Sequence, residues 1–172
     1  MIPFWCQVKE ASLRHGHLMQ GCLVPVFDPD FGTTEGVDEV PVAKADLIVV
    51  TQSCDLENAK IPLVALCRIE SVSDFVQTNF SNKEKERLDR IRKGRHEGLH
   101  LLASPTNPGS NREALIVDFR QIFSLPFDYL TTLAEELGDR WRLDSPFLEH
   151  FSQAFARFFM RVGLPSAIPS FK

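Results

Sequence analysis

The sequence is short of the residues from which many recognition sites are built. It holds one Tyr and two Trp against fourteen Phe. Phe carries no polar handle, so most of these rings belong in a core rather than on a wet surface. Its four cysteines, Cys6, Cys22, Cys54 and Cys67, form no C-x-x-C pair. That spacing argues against a zinc ribbon or a disulfide framework and suggests reduced thiols in a cytoplasmic protein. No apolar run approaches the roughly 20 residues that span a bilayer. The opening MIPFWCQVKEASLRHGH has no basic stretch followed by an apolar one, so it does not read as a signal peptide. A dominant charge is lacking too. With 19 Lys and Arg against 23 Asp and Glu, the net is −4, and any footprint for a polyanion must be local. Internal repeats and low-complexity tracts are absent.

What remains is a globular composition. The 172 residues are 44 % hydrophobic and 24 % charged, enough to build one domain, 1–172, around a real core. The first half reads as strands. Residues 17–27 form one strand region, interrupted near Gly21 or Pro25, with Pro25 suited to an edge or bulge. Residues 28–39 carry turn formers at nearly every position and read as a long loop. Short runs rich in β-branched residues predict strands at 46–52, 61–69 and 114–119.

Helices punctuate and close this set. Asn82 is the expected N-cap of a charged helix over about 82–94, with Gly94 as its stop and only Leu88 and Ile91 as its apolar stripe. A second helix near 127–137 presents Leu130, Leu133, Ala134 and Leu137 on one face, ending at Gly138. The third is expected at 145–162, with Ser145 as cap, Pro146 in the first turn, and Phe147, Phe151, Phe155, Phe158 and Val162 at helical spacing.

The chemistry-bearing candidates are few. Between two apolar runs lies Thr51-Gln52-Ser53-Cys54-Asp55. Cys54 there is either a nucleophile, needing a nearby cation or imidazole that no motif supplies, or a small buried side chain in a turn held by Ser53 and Asp55. The segment 83–96 has seven Lys and Arg against three acids, locally +4. Lys83, Arg87, Arg90, Arg92, Lys93 and Arg95 could follow a phosphate backbone. The plainer reading is a solvated helix with pairs such as Glu86–Arg90 and Asp89–Lys93. Arg157 and Arg161, with His150, could form an anion-binding face or simply the exposed side of the last helix. His15 and His17 share a strand face with His96, His100, Asp28 or Asp30 as further donors. Without a second spaced pair, neither a metal nor a cofactor is expected.

Three stretches carry a resemblance to a known family: RHGHLMQGCLVPV (14–26), ADLIVVTQSCDL with LVALCRIES, and ALIVDFRQIFSLPFDYL (114–130). Over about half the chain these resemble the MazF/PemK (CcdB-like) superfamily of bacterial toxin–antitoxin modules. The resemblance implies an α+β fold: a small SH3-like antiparallel β-barrel at about 14–123 with an inserted charged helix and two C-terminal helices. It also implies an RNA-binding protein or endoribonuclease in stress or phage defence, a homodimer, and a cognate antitoxin or other protein partner. The basic helix and the 28–40 loop would hold single-stranded RNA. Family ribonucleases use an Arg near the start of the second strand and a Thr or Ser after the third. Those positions fall on Lys44 and on Glu70 beside Ser71. The alternative is a barrel without catalysis that binds a protein partner.

Overall fold

A computed structural model describes residues 3–27, 40–57, 61–80 and 83–160. The chain is α+β. In order it forms β1 (Trp5–Val8), β2 (Leu18–Pro25), β3 (Val42–Val49), α1 (Ser53–Glu57), β4 (Leu63–Ser71), α2 (Val72–Asn79), α3 (Glu84–Arg92), β5 (Leu99–Leu102), β6 (Leu115–Pro126), α4 (Phe127–Leu137), β7 (Arg140–Leu143) and α5 (Phe147–Phe159). The strands make two antiparallel sheets, a pair β1-β7 and a five-stranded sheet ordered β2-β3-β4-β6-β5.

The expected closure into a barrel is not what the strands do. Among the described residues, β2 and β5 are the outer strands of an open sheet. The reason lies in consecutive residues of β3. Leu47 and Val49 belong to one apolar cluster, while Ile48 and Val50 belong to another, and all four are buried. A sheet whose strand is buried on both pleat faces needs cover on both. One face receives α4 through Leu130 and Ala134, with Leu133 and Leu137 partly buried. The other receives α5 through Phe151, flanked by Phe147, Phe155 and Phe158. A third cluster, around Val72, Phe75, Ile91, Leu99 and Ile116, seats α2 and α3 on the β5 end.

Two irregularities shape the sheet. Register shifts in β2 between Met19 and Cys22, where Gly21 takes φ +66° and donates its amide to Asp46 Oδ1 at 2.8 Å. This is the break expected near Gly21, and Pro25 ends the same outer strand. In the β4–β6 ladder, Cys67 faces Ile122 but Arg68 faces Asp118, so residues 119–121 bulge out. Buried Asp118 ties the bulge down. It accepts from Arg120 Nε and a terminal guanidinium nitrogen at 2.7 Å each, from the Arg120 amide at 3.0 Å, and from Gln121 Nε2 at 3.1 Å. Burial alone would raise this carboxyl, but the Arg120 and Gln121 donors more than offset it and hold it below the usual range.

Several boundaries differ from expectation. The inserted segment between β4 and β6 holds α2, α3 and β5, not one helix. Asn82 lies outside the described residues, and Lys83, at φ 59°, stands at the N-cap of α3 with no side-chain cap bond. The Gly94 stop holds: at φ 64° its amide donates to Ile91 and the Arg95 amide to Arg90. Ser145 does not cap α5. Its hydroxyl donates to Glu149 Oε1, and the first-turn amides of Phe147 and Leu148 donate to the Asp144 carbonyl. The 28–39 loop, Arg161 and Val162 fall outside the described residues. No described helix is long and apolar enough to cross a membrane.

Candidate functional site

Between the two apolar runs, Ser53–Glu57 fold as the short helix α1, not as a turn. Thr51 prolongs the ladder: the Ala65 amide donates to its Oγ1 at 2.8 Å, and the Val50 and Thr51 amides both donate to the Ala65 carbonyl. Ser53 Oγ accepts the His15 amide at 3.1 Å. Cys54 is exposed, so the expectation that it is buried is corrected; its side chain sits on the solvent side while Leu56 turns into the core. The imidazole of His15 is engaged elsewhere, with Nε2 2.8 Å from Ser152 Oγ. Ser152 in turn donates to the Leu148 carbonyl. Cys22 and Cys67 are the buried thiols, pushed up to about 12 chiefly by burial. Native alkylation with iodoacetamide is therefore expected to modify Cys54 well before Cys22 or Cys67. Peptide mapping that found Cys22 or Cys67 labelled first would contradict the packing of β2 or β4.

The other three candidate catalytic residues come together. Lys44 on β3, Glu70 near the end of β4 and Ser71 at the β4–α2 junction line one groove of about 690 Å³, with Asp46, Arg68, Asp74, Ser104, Glu113 and Trp141 around them. The topology explains the meeting. β3 and β4 are neighbours, and the turn from β4 into α2 brings Asp74 back over the sheet end.

Ser71 is a helix cap. Its Oγ accepts the Asp74 amide at 3.1 Å and lies 2.6 Å from Asp74 Oδ2, to which it donates. A hydroxyl engaged in this way has a structural task, and no imidazole lines the groove to activate it. Glu70 pairs with Arg68 at 3.4 Å. Its carboxyl is raised above the usual range, first by burial and further by Asp74 and Asp118, with Arg68 acting the other way. Against two cations, Lys44 and Arg68, the groove sets four carboxylates, Asp46, Glu70, Asp74 and Glu113. A phosphodiester entering here meets net repulsion.

The six basic candidates divide. Arg92 and Lys93 share Asp89, at 2.7 and 2.5 Å, so the Asp89–Lys93 pair read from the sequence forms, and Arg92 joins it. Among the described residues Glu86 makes no salt bridge with Arg90. Arg87 lies over the Phe80 ring, 4.9 Å from its centroid. Lys83, Arg90 and Arg95 are exposed. The helix thus spends half of its cationic character on its own surface.

A second basic feature is buried, and no motif marked it. His17 is fully buried, with neither ring nitrogen hydrogen-bonded, near Arg14, Arg140 and Arg142. Burial first, and those three guanidinium groups second, hold its imidazole down to about 3. Arg140 is itself buried, donating to the carbonyls of Ala134, Gly138 and Glu10. The alternation of His15 and His17 suggested a shared strand face, but β2 begins only at Leu18, and the two rings have separate surroundings.

No protein-family model matches the chain, and no curated protein matches it.

Proposed function

We propose that this chain is an interaction module that takes a positively charged segment of a protein partner in the groove between β3, β4 and α2. One observation carries the reading: where Lys44, Glu70 and Ser71 converge, carboxylates outnumber cations four to two. Lys and Arg side chains of a partner would find acceptors in Asp46, Glu70, Asp74 and Glu113, and Trp141 offers an aromatic wall to a guanidinium. Lys44 cannot make the planar two-pronged contact with a phosphate that an Arg makes.

The resemblance to MazF/PemK-like toxins supports a second reading, RNA cleavage in the same groove. Its specific support is Glu70, whose raised carboxyl suits a general acid–base role.

One experiment separates the two. Fluorescence anisotropy with a labelled Lys/Arg-rich peptide is expected to show saturable, salt-sensitive binding, weakened about tenfold or more by Glu70→Gln with Asp74→Asn. Total RNA incubated with the protein is expected to stay intact. Cleavage abolished by Lys44→Ala or Glu70→Ala, with no peptide binding, would establish the ribonuclease instead.

A further inference from the structure

A second groove, beside the end of α3, holds one carboxylate where the first holds four. It measures about 560 Å³, a size that suits one small ligand. The end of α3 supplies Lys93, the approach to β5 supplies His96, Glu97 and Gly98, β5 supplies His100, β6 supplies Phe119, and α5 supplies Arg157 and Phe158. Its composition is two cations and two imidazoles against one carboxylate, above aromatic rings.

The rings form a platform whose Phe119 member is buried in the core and whose His100 and Phe158 members are half-buried and line the groove. His100 and Phe119 lie nearly parallel, with centroids 6.0 Å apart and planes at 20°. Phe158 stands 6.1 Å from Phe119 at 45°. Gly98, at φ +81°, is pressed between Arg120 and Phe158: a Cβ there would lie 3.1 Å from each. Only glycine lets the backbone pass this close to the platform without strain. Burial, with His150 and Arg157 adding to it, holds the His100 imidazole down to about 4, so near neutral pH it is an uncharged stacking face.

The cations stand at the rim. Lys93 is held by Asp89 at 2.5 Å. Arg157 is exposed, and its Nε donates to the Gln153 carbonyl at 3.3 Å. Among the described residues no carboxylate pairs with Arg157. An aromatic floor with cations at its edge matches a flat heterocycle joined to an anion.

We infer that the groove between α3, β5 and α5 binds a mononucleotide, its base against the half-buried rings of Phe158 and His100 and its phosphate on Lys93 and Arg157. A nucleic-acid strand fits less well. It needs a continuous track of cations, and the groove lining offers only Lys93 and Arg157.

The probes are the four ribonucleoside 5′-monophosphates, titrated by calorimetry, and an N-methylanthraniloyl-labelled AMP followed by anisotropy. At least one is expected to bind saturably. Arg157→Ala and Lys93→Ala should each weaken it about tenfold, and Arg157→Glu more, with circular dichroism unchanged. Inorganic phosphate alone should compete at least tenfold more weakly than the nucleotide, because it makes no ring contact. Three results would overturn the inference: no saturable binding of any of the four, binding indifferent to Arg157 and Lys93, or phosphate competing as well as the nucleotide. Binding of a ten-nucleotide oligouridylate without any mononucleotide binding would also overturn it, in favour of a strand. This site is separate from the acidic groove, so either can fail without the other.

Discussion

Acidification from neutral pH to below about 5 is expected to lower stability steeply, and His17→Leu to remove the largest single part of that loss. The folded His17 imidazole is held down to about 3 from an ordinary value of 6.5. Between those limits the unfolded chain binds a proton that the folded chain does not, so stability is full above about 6.5 and falls as pH drops toward 3. At 1.36 kcal/mol per unit, the shift corresponds to on the order of 5 kcal/mol at the acid end. His100, held down to about 4 by burial, and His15, lowered by burial, act in the same direction. A total stability of about 5–15 kcal/mol leaves little margin against that sum. Because neither nitrogen of His17 is hydrogen-bonded, Leu removes a desolvated polar ring without orphaning a partner. The variant should be at least as stable as wild type near neutral pH and show a flatter profile below it. Urea titrations across the pH range measure both. A variant that keeps the wild-type slope would show that His17 is solvated or charged in the fold.

The second large effect is expected from Phe151→Ala. Phe151 is fully buried and is the common neighbour of three rings, with centroid distances of 5.6 Å to His15, 5.9 Å to His100 and 5.7 Å to Phe119. It joins α5 to the β3–β4–β6 face and to the segment leading into β2. Deleting such a ring costs about 3–5 kcal/mol, transfer and cavity together. In a domain of this size that is a fall in melting temperature of roughly 10 °C or more. Calorimetry or thermal circular dichroism decides it. A change of about 1 kcal/mol or less would mean that α5 is not clamped on the sheet as described.

The physical signals that were legible in the sequence were those with a strong period or a strong stop. The Phe spacing on α5, the Leu130-Leu133-Ala134-Leu137 face of α4, and the Gly94 and Gly138 ends all appear where the pattern placed them. The break at Gly21 likewise appears. The run Leu47-Ile48-Val49-Val50 marked a strand, and its lack of alternation was the sign that both faces would be covered. An expectation of closure, taken from a resemblance, hid that sign. β1, β5 and β7 were not legible, because four-residue strands take their identity from a distant partner rather than from their own composition. α2 was missed for a related reason: its cap is Ser71 with Asp74 three residues on, a capping-box spacing carrying Asp in place of the usual Glu.

The site was partly legible. Lys44, Glu70 and Ser71 were singled out only by the family resemblance, and they share a groove. Its acid excess depends on Asp46, Asp74 and Glu113, which only the register and the β4–α2 turn assemble. The aromatic groove was harder still to foresee. His96 lies in the link between α3 and β5, Phe119 on β6 and Arg157 on α5, and no spacing rule connects them.

The pairing of β1 with β7 has a consequence for how the chain comes to be folded. Cys6 and Arg142 stand 136 residues apart, yet the Cys6 thiol donates to the Arg142 carbonyl. During synthesis β1 must wait, without its ladder, until β7 has been made, after the other described strands. Closing so long a loop costs little extra at equilibrium, since the entropy grows only with the logarithm of length. It does slow the last step, because contacts between distant segments are made late. Trp5 reports on the position of β1: its indole nitrogen donates to the Ala103 carbonyl at 2.8 Å. Its fluorescence should therefore change in the slowest phase of refolding, after the sheet's own signal has settled.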